Sequence, residues 1–279
     1  MTVHETAIGR IELLRSGVGR NCAILLHAAA SGPRALYKLG AALCGDGSGW
    51  RAVLPALDGY DGSTLPDARA DDPFAAHLRI ARWTFEEMGR EATGGKRVLI
   101  GHSMGGLVAL LAALDGLDAA GLVLYEPIVL DCLKASDPED SAARAWDSAR
   151  VDKLREGVAG GDPELGVKAF IEAFNEVSWG DMPAVLRADL VSKAALLAAE
   201  TRAAPQVKLD RGMLAALSLP VLILQGERSP PVTHRMSLRL AQAIPHAVRR
   251  IVPGTGHMGP ALSPTTVAAE VAPFLGQLG

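Results

Sequence analysis

Aromatic residues make up only 4% of this 279-residue chain, and it contains no run of basic residues. The scarcity of aromatic rings argues against the stacking platforms on which single-stranded nucleic acids bind. Lys and Arg, 28 in all, nearly balance the 31 Asp and Glu residues, so that the formal net charge is −3. We therefore expect neither nucleic acid nor an anionic membrane as a partner.

Cysteine and long apolar runs are also scarce. The three cysteines, Cys22, Cys44 and Cys132, are odd in number and dispersed, which excludes a disulfide scaffold and favours a reducing compartment. No apolar run approaches the roughly 20 residues of a membrane-spanning helix. Residues 1–5 lack the basic start and apolar stretch of a signal peptide. The sequence therefore predicts a cytoplasmic, globular protein.

Motifs for metal and nucleotide binding are missing as well. The chain has no His-Glu-x-x-His motif, no cysteine pair at ligand spacing, and no carboxylate cluster suited to zinc. It also has no P-loop Lys-Ser/Thr pair. We therefore expect no metal and no organic cofactor.

Short apolar runs alternate with longer helical patterns along most of the chain. Runs that are apolar on both faces are typical of central strands in a parallel sheet covered by helices. The predicted strands are Cys22–Leu26, Arg51–Leu54, Arg97–Ile100, Gly121–Leu124, Val221–Leu224 and Val248–Val252. An N-terminal hairpin at one edge of the sheet is predicted from Val3–Ile8 and Arg10–Leu14. The predicted helices lie near 34–44, 74–91, 104–115, 233–243 and 264–276. The pattern predicts an α/β fold with a mostly parallel central sheet flanked by helices.

One stretch, from 131 to 205, interrupts this alternation. It has no convincing strand, whereas Ala142–Val158, Pro163–Val177 and Met182–Thr201 have helical periodicity. It is too long for an ordinary connection between elements. It follows the carboxyl end of the predicted strand Gly121–Leu124, the sixth when the hairpin is counted, and open α/β sheets bind ligands at that edge. We therefore predict a helical cap at 131–205 inserted into a core domain made of 1–130 and 206–279.

The segment Gly101–Gly105 reads Gly-His-Ser-Met-Gly and matches the pattern Gly-x-Ser-x-Gly. It follows the strand at Arg97–Ile100 without a gap and leads directly into the helical pattern that begins near Met104. A sharp strand-to-helix turn needs small residues on both sides of the serine. The turn places the Ser103 side chain at a helix N-terminus, which favours a developing negative charge. This context favours a nucleophile over an incidental serine in a glycine-rich turn.

With this motif and its context, the chain resembles the α/β-hydrolase superfamily over nearly its whole length. In that layout the segments 27–32, 55–63 and 253–260 correspond to three loops at the carboxyl edge of the sheet, and the last of them carries the catalytic histidine. The resemblance implies that the backbone N–H groups of Met104 and Ala29 form an oxyanion hole. Ala28 stands where the family usually has glycine.

Seven histidines compete for the role of general base. His257 follows the last predicted strand, lies between glycines, and comes after the serine, so it fits the family order of serine, acid and histidine. His102 is expected to turn away from the site, and His27 to order the oxyanion loop. Surface or cap-edge positions are expected for the other four, which are His4, His77, His234 and His246.

The acid departs from the common pattern. Many relatives carry an aspartate where this chain has Ser229, and a serine cannot supply the negative charge that stabilises an imidazolium. Two replacements remain open, Glu227 in the same loop and Glu126 after the strand Gly121–Leu124. Haloalkane dehalogenases are among the relatives that take the acid from the latter place, and we predict Glu126.

The resulting prediction is a serine hydrolase in which Ser103, His257 and Glu126 cleave an ester, thioester or related acyl bond of a small apolar molecule. The alternatives are a lyase, a carbon–carbon bond hydrolase, or a small-ligand-binding protein with an impaired site, since fold alone does not choose a reaction. We expect His27, Phe174 and Trp179 to border the substrate. Apolar cap residues form either a ceiling over the substrate or the core of the cap itself: Leu165, Val167, Phe170, Phe174, Trp179, Met182 and Leu186. The sequence carries no signal for an oligomeric state.

Overall fold

An eight-stranded, mostly parallel sheet runs through the centre of the molecule. The structure, a computed structural model, describes residues 1–45, 47–67 and 72–278. Its strands are β1 (Thr2–Thr6), β2 (Gly9–Ser16), β3 (Asn21–Leu26), β4 (Trp50–Pro55), β5 (Arg97–His102), β6 (Gly121–Tyr125), β7 (Val221–Gly226) and β8 (Val248–Val252). They lie in the order β1-β2-β4-β3-β5-β6-β7-β8. β1 pairs antiparallel with β2, as does β2 with β4, and the other pairings are parallel. The predicted fold class is confirmed.

Both faces of the sheet are buried in its central strands, as their apolar sequences predict, whereas the edge strands β1 and β8 are largely exposed. In β3, Cys22, Ile24 and Leu26 belong to one apolar cluster, whereas Ala23 and Leu25 belong to the cluster on the opposite face. Successive side chains of a strand point to opposite faces. A strand that is apolar at every position therefore needs helices on both sides.

Helices cover the two faces. Among the described residues they are α1 (Tyr37–Leu43), α2 (Pro73–Glu91), α3 (Met104–Leu114), α4 (Pro138–Ala159), α5 (Pro163–Phe174), α6 (Ala184–Ser192), α7 (Ala194–Ala203), α8 (Arg211–Ala216), α9 (Pro231–Ala243), α10 (Gly259–Leu262) and α11 (Pro264–Leu278). α1 and α11 pack on one face, and α2, α3 and α9 pack on the other. Within the described ranges, no helix has both the length and the apolar character required to cross a membrane.

The chain from 131 to 205, called the helical segment below, contains α4 to α7. α4 begins at Pro138 rather than at 142, because the Asp137 carboxylate caps the N–H groups of Glu139 and Asp140 and proline suits the first helical position. The helix predicted at Met182–Thr201 is in fact two helices. α6 and α7 meet at Lys193, whose ψ of 5° departs from helical values.

An ion-pair cluster joins the helical segment to α9. Arg235 Nε and Arg239 Nε each donate to a different oxygen of Asp140, both at 2.6 Å, and Asp137 binds the same two guanidinium groups. The Asp140 side chain is fully buried. α4 is thereby fixed to the core at its first turn.

The two ends of the helical segment meet at Asp131. Its carboxylate accepts hydrogen bonds from Lys208 Nζ and from the N–H of Leu209, both at 3.1 Å. Its carbonyl accepts a further bond from Arg211, at 2.7 Å. The chain therefore enters and leaves the segment at one point.

Candidate active site

Ser103 lies at the sharp turn between β5 and α3, with φ of 54° and ψ of −115°. A Cβ added at Gly101 would collide with the Gly105 carbonyl, and one added at Gly105 would collide with the Leu26 carbonyl. The Ser103 N–H donates to the carbonyl of Tyr125 at 2.9 Å, which fixes the strained residue to β6. Backbone strain of this kind is concentrated at functional sites.

His257 lies between Ser103 and Glu126. Its Nε2 is 3.1 Å from Ser103 Oγ, and its Nδ1 is 2.7 Å from Glu126 Oε2. All three residues are buried, and all three border one cavity. The structure thus brings together the serine, histidine and acid that the sequence predicts for catalysis.

The loop that carries His257 is held on both sides of the histidine. The hydroxyl of Tyr125 donates to the Gly256 carbonyl at 2.7 Å, and His102 Nε2 donates to the His257 carbonyl at 2.8 Å. Burial lowers the pKa of His102 well below its usual range, so its ring is neutral. His102 thus faces away from the cavity, as expected.

Glu126 directly follows β6 and is completely buried. Its Oε1 accepts the N–H of Gly226 at 2.7 Å, while its Oε2 faces His257. Its own N–H donates to the carbonyl of Leu224 at 2.9 Å. These contacts fix both the backbone and the carboxylate of Glu126.

The alternative acids lie elsewhere. The Glu227 side chain is exposed, and its Oε2 accepts the N–H of Gly254 at 2.8 Å. Ser229 Oγ is buried and has no hydrogen-bond partner among the described residues. Of the two carboxylates that the sequence left open, the structure places Glu126 against His257.

The loop after β3 borders the cavity through residues 28–32, among them Ala29. Met104 begins α3 and also borders the cavity. The first N–H groups of a helix have no acceptor within the helix. The N–H of Met104 is therefore available to a ligand, as an oxyanion hole requires.

His27, for which the sequence predicts a contact with substrate, lies behind this loop and is not among the residues that border the cavity. Its Nδ1 donates to the Ala28 carbonyl at 2.9 Å, and its Nε2 accepts the N–H of Leu57 at 3.1 Å. Burial lowers its pKa to about 3. A fully buried, neutral ring with both nitrogens bonded to backbone orders the loop.

The cavity has a volume of about 500 Å³ and a mostly apolar wall. Phe170, Phe174, Met182 and Leu186 of the helical segment border it, and the ring centroid of Phe174 is 5.4 Å from that of His257. Such a volume suits a small molecule. Of the two arrangements that the sequence left open, these four residues border the cavity, and Met182 and Phe170 belong to the apolar cluster of the helical segment as well.

Trp179, for which the sequence predicts a contact with substrate, is not among the residues that border the cavity. It is buried in an apolar cluster made mostly of residues of the helical segment, among them Val167 and Ile171, and this cluster also includes Ala30 of the loop after β3. Its indole N–H donates to Glu164 at 3.3 Å. Leu165, which the sequence suggested for either the ceiling or the core of the cap, is largely exposed.

Sequence reasoning missed a polar cluster beside the cavity. Tyr60, His77 and Glu200 are buried and hydrogen-bonded to one another through the Glu200 carboxylate. His77 is therefore a core residue, not the surface or cap-edge histidine expected. The available signal was a lone glutamate three residues after the buried Leu197 of α7, on the apolar side of that helix.

Asp147 of α4 also borders the cavity. Burial raises its pKa to about 6. The described residues contain no group of three or more His, Cys, Asp or Glu side chains arranged to hold a metal ion.

Comparison with known proteins identifies the family of this chain and shows that its fold is shared by solved hydrolase structures. The sequence pattern described as the alpha/beta hydrolase family matches residues 23–270. A thermophilic esterase from Thermogutta terrifontis is 21% identical, with a TM-score of 0.70 over 98% of this chain and 96% of that one. An esterase from Exiguobacterium antarcticum is 16% identical, with a TM-score of 0.75 over 99% of both chains. An alpha/beta hydrolase from Sphaerobacter thermophilus is 21% identical, with a TM-score of 0.68 over 98% of this chain and 99% of that one.

Proposed function

The chain belongs to the alpha/beta hydrolase family, and on that premise we propose that it is a serine hydrolase. Its substrate is an ester, thioester or related acyl compound of a small apolar molecule, cleaved through an acyl-enzyme. The observation that carries the proposal is the hydrogen-bonded series from Ser103 through His257 to Glu126, with distances of 3.1 and 2.7 Å. A nucleophile, a base and a group that orients the base are the parts that acyl transfer needs.

In the proposed mechanism, Ser103 Oγ attacks the acyl carbon while His257 Nε2 takes its proton. Glu126 keeps the Nδ1 proton on the side away from the serine and stabilises the imidazolium that forms. His257 then protonates the leaving group, and a water molecule activated by the same ring releases the acyl group. Every proton is moved by His257, and the scheme uses no metal or organic cofactor.

Met104 and Ala29 supply the oxyanion hole in this mechanism. Their backbone N–H groups stabilise the negative charge on the acyl oxygen, an effect typically worth about 3–4 kcal/mol per donor. The position of Met104 at the start of α3 supports this role, because the helix dipole favours the same charge.

We further propose that 131–205 is a cap domain on a core made of 1–130 and 206–279, and that the cap selects the substrate. Residues of the helical segment form the apolar wall opposite Ser103, which supports an apolar acyl or alcohol group as the part recognised. The lyase, carbon–carbon hydrolase and ligand-binding alternatives remain outcomes of the test below.

Labelling with a fluorophosphonate, read by peptide mass spectrometry, tests the proposal together with turnover of p-nitrophenyl esters. We expect the wild-type protein to be labelled at Ser103, and Ser103→Ala to lose both labelling and turnover while its melting temperature stays nearly unchanged. Ser229→Ala, a buried serine outside the cavity, is the matched control and should still be labelled. Labelling of Ser103→Ala at another serine would contradict the proposal, and an unlabelled wild type that still binds apolar ligands would favour a binding protein.

A further inference from the structure

A buried chain of hydrogen bonds connects the helical segment to the loop that contains Ala29. Glu200 of α7 accepts the hydroxyl hydrogen of Tyr60, whose oxygen is 2.8 and 3.0 Å from the two carboxylate oxygens. The Tyr60 oxygen in turn accepts the N–H of Ala30 at 3.0 Å. Glu200 and Tyr60 are both almost inaccessible to solvent.

The direction of each bond follows from the donors available. A tyrosine hydroxyl has a single hydrogen. Because the Glu200 carboxylate takes that hydrogen, the lone pairs of the Tyr60 oxygen remain free to accept the N–H of Ala30. His77 of α2 holds the carboxylate from a third side, with Nε2 at 3.0 Å from Oε1.

Ala30 needs such a restraint because its φ is +59°. This left-handed conformation is uncommon for a residue with a Cβ. Without the bond to Tyr60, the backbone at Ala30 is free to relax toward a more ordinary conformation.

The peptide group before Ala29 is held as well. The Ala28 carbonyl accepts hydrogen bonds from His27 Nδ1 at 2.9 Å and from Ser31 Oγ at 2.7 Å. Because a trans peptide is planar, a fixed Ala28 carbonyl also fixes the direction of the Ala29 N–H. Tyr60 holds the following peptide through Ala30, so Ala29 is restrained on both sides.

We infer that Glu200, acting through Tyr60, is a positioning residue for the oxyanion hole. The inference rests on the proposed function, because it concerns the Ala29 N–H as an oxyanion donor. A residue of the helical segment thereby sets the geometry of a loop in the core, in addition to bordering the cavity.

The first test is Tyr60→Phe, which keeps the ring packed against His27 and removes the hydroxyl. We expect kcat/KM for a p-nitrophenyl ester to fall by about 10- to 100-fold, with most of the loss in kcat, because the hole acts on the transition state. Tyr37→Phe removes a hydroxyl from a well-exposed residue outside the cavity and is the matched control.

A trifluoromethyl ketone separates positioning from general destabilisation. Its carbonyl carbon forms a bond to Ser103 Oγ, the serine proton moves to His257, and the ketone oxygen becomes the oxyanion. We expect the inhibition constant to rise in Tyr60→Phe by about the same factor as kcat/KM falls, whereas KM changes little. A variant that merely contains less folded protein would instead have the wild-type inhibition constant. Its kcat/KM would also equal that of the wild type once rates are expressed per labelled Ser103.

Glu200→Gln is the second variant, and it decides the matter if Tyr60→Phe does not fold. In the amide one carboxylate oxygen becomes an NH2 donor. With the amide oxygen in the place of Oε1, which faces both His77 and Tyr60, this donor faces the Tyr60 oxygen and competes with the N–H of Ala30 for it. We expect about a tenfold loss of kcat/KM. In the Tyr60→Phe background the same change should have almost no further effect, since Glu200 acts through the hydroxyl.

Amide hydrogen exchange gives a readout that needs no substrate. The N–H of Ala30 should exchange faster in both variants than in the wild type and Tyr37→Phe. Unchanged exchange at Ala30, or turnover and inhibition within about twofold of an active wild type, would overturn this inference alone. A wild type that neither cleaves esters nor takes the label would overturn the proposed function, and this inference with it.

Discussion

At the scale of single residues, the acid of the candidate site shows how one role can move to another place in the chain. By the resemblance to α/β-hydrolases, Ser229 stands where an aspartate is expected, and Glu126 presents its carboxylate to His257 from the end of β6. The N–H of Gly226, from the strand that leads to Ser229, donates to Glu126 Oε1. A backbone donor thus holds in place a carboxylate that comes from the neighbouring strand.

Glu126→Gln should lower turnover by about 10⁴-fold, because an amide favours the wrong tautomer of the imidazole and leaves its charge unbalanced. Ser229→Ala should leave turnover nearly unchanged, since Ser229 Oγ has no partner among the described residues. Steady-state kinetics of both variants provide the check. Full activity in Glu126→Gln together with collapse in Glu227→Gln would assign the acid to the later loop.

Asp147 predicts a pH dependence of stability. Burial raises its pKa to about 6, above the roughly 3.9 of an unfolded chain, so the folded state binds the proton more tightly. The charged carboxylate therefore lowers the free energy of unfolding progressively as pH rises from about 4 to about 6.

Asp147→Asn removes this penalty. We expect the variant to melt at a higher temperature than the wild type at about pH 7.5 and at nearly the same temperature at about pH 4. Glu156→Gln, an exposed change on the same helix, is the control and should show no such difference. Equal effects of Asp147→Asn at both pH values would show that the carboxyl titrates normally.

The sequence predicted those residues of the candidate site whose position follows from local pattern. Ser103 came from a five-residue motif between a strand and a helix, and Glu126 from its place directly after a strand. The bond between Tyr60 and Glu200 spans 140 positions, and no local pattern encodes such a pair. His77 was misplaced for the same reason, because its partner is on a distant helix.

At the scale of elements, Phe174 of α5 and Trp179 of the turn that follows it lie in different surroundings. Phe174 borders the cavity, whereas Trp179 is buried in the interior of the helical segment. Phe174→Ala should raise kcat/KM for long acyl esters relative to acetate esters, because it enlarges the cavity next to His257.

Trp179→Ala should instead lower the free energy of unfolding by about 3–5 kcal/mol through loss of buried packing, with the preference between acyl chains unchanged. Chemical denaturation and a series of p-nitrophenyl esters measure the two effects. A change of chain-length preference in Trp179→Ala alone would assign the ceiling to that residue.

The ion-pair cluster between α4 and α9 predicts a second stability effect. Asp140→Asn removes a buried charge that binds two guanidinium groups, and we expect a loss of about 3 kcal/mol in the free energy of unfolding. Glu87→Gln breaks a pair with the exposed Arg90 and should cost less than about 1 kcal/mol. Urea denaturation compares them, and equal losses would mean that the cluster adds no more than a surface pair.

Element boundaries were less predictable than element types. α4 begins earlier than its apolar pattern indicates because a capping carboxylate and a proline define its start. The break at Lys193 separates α6 from α7, although the apolar residues keep one helical periodicity through both. Nothing in the local sequence marks this break. Where caps decide the boundary the sequence contains the signal, and where tertiary packing decides it the sequence alone does not.

At the scale of the whole molecule, the α/β architecture was predictable because strands such as β6, buried at all five positions, leave no solvent-facing side. The long stretch without strands was recognisable as an interruption of that order. Its division into cap and core stays a prediction, as does a cytoplasmic location.

The meeting of the two ends of the helical segment at Asp131 has a consequence for how the sequence of this segment can change in evolution. Lys208 and Leu209, just after the helical segment, bind the carboxylate of Asp131, the residue at which the segment starts. The two ends of the segment are thereby held together on the core. A loop whose ends are held together tolerates insertion and replacement at little cost to the fold around it. Replacing the helices between Asp131 and Lys208 by those of a different protein of the family would change the apolar residues that border the cavity. Ser103, His257 and Glu126, which lie outside the helical segment, would stay in place.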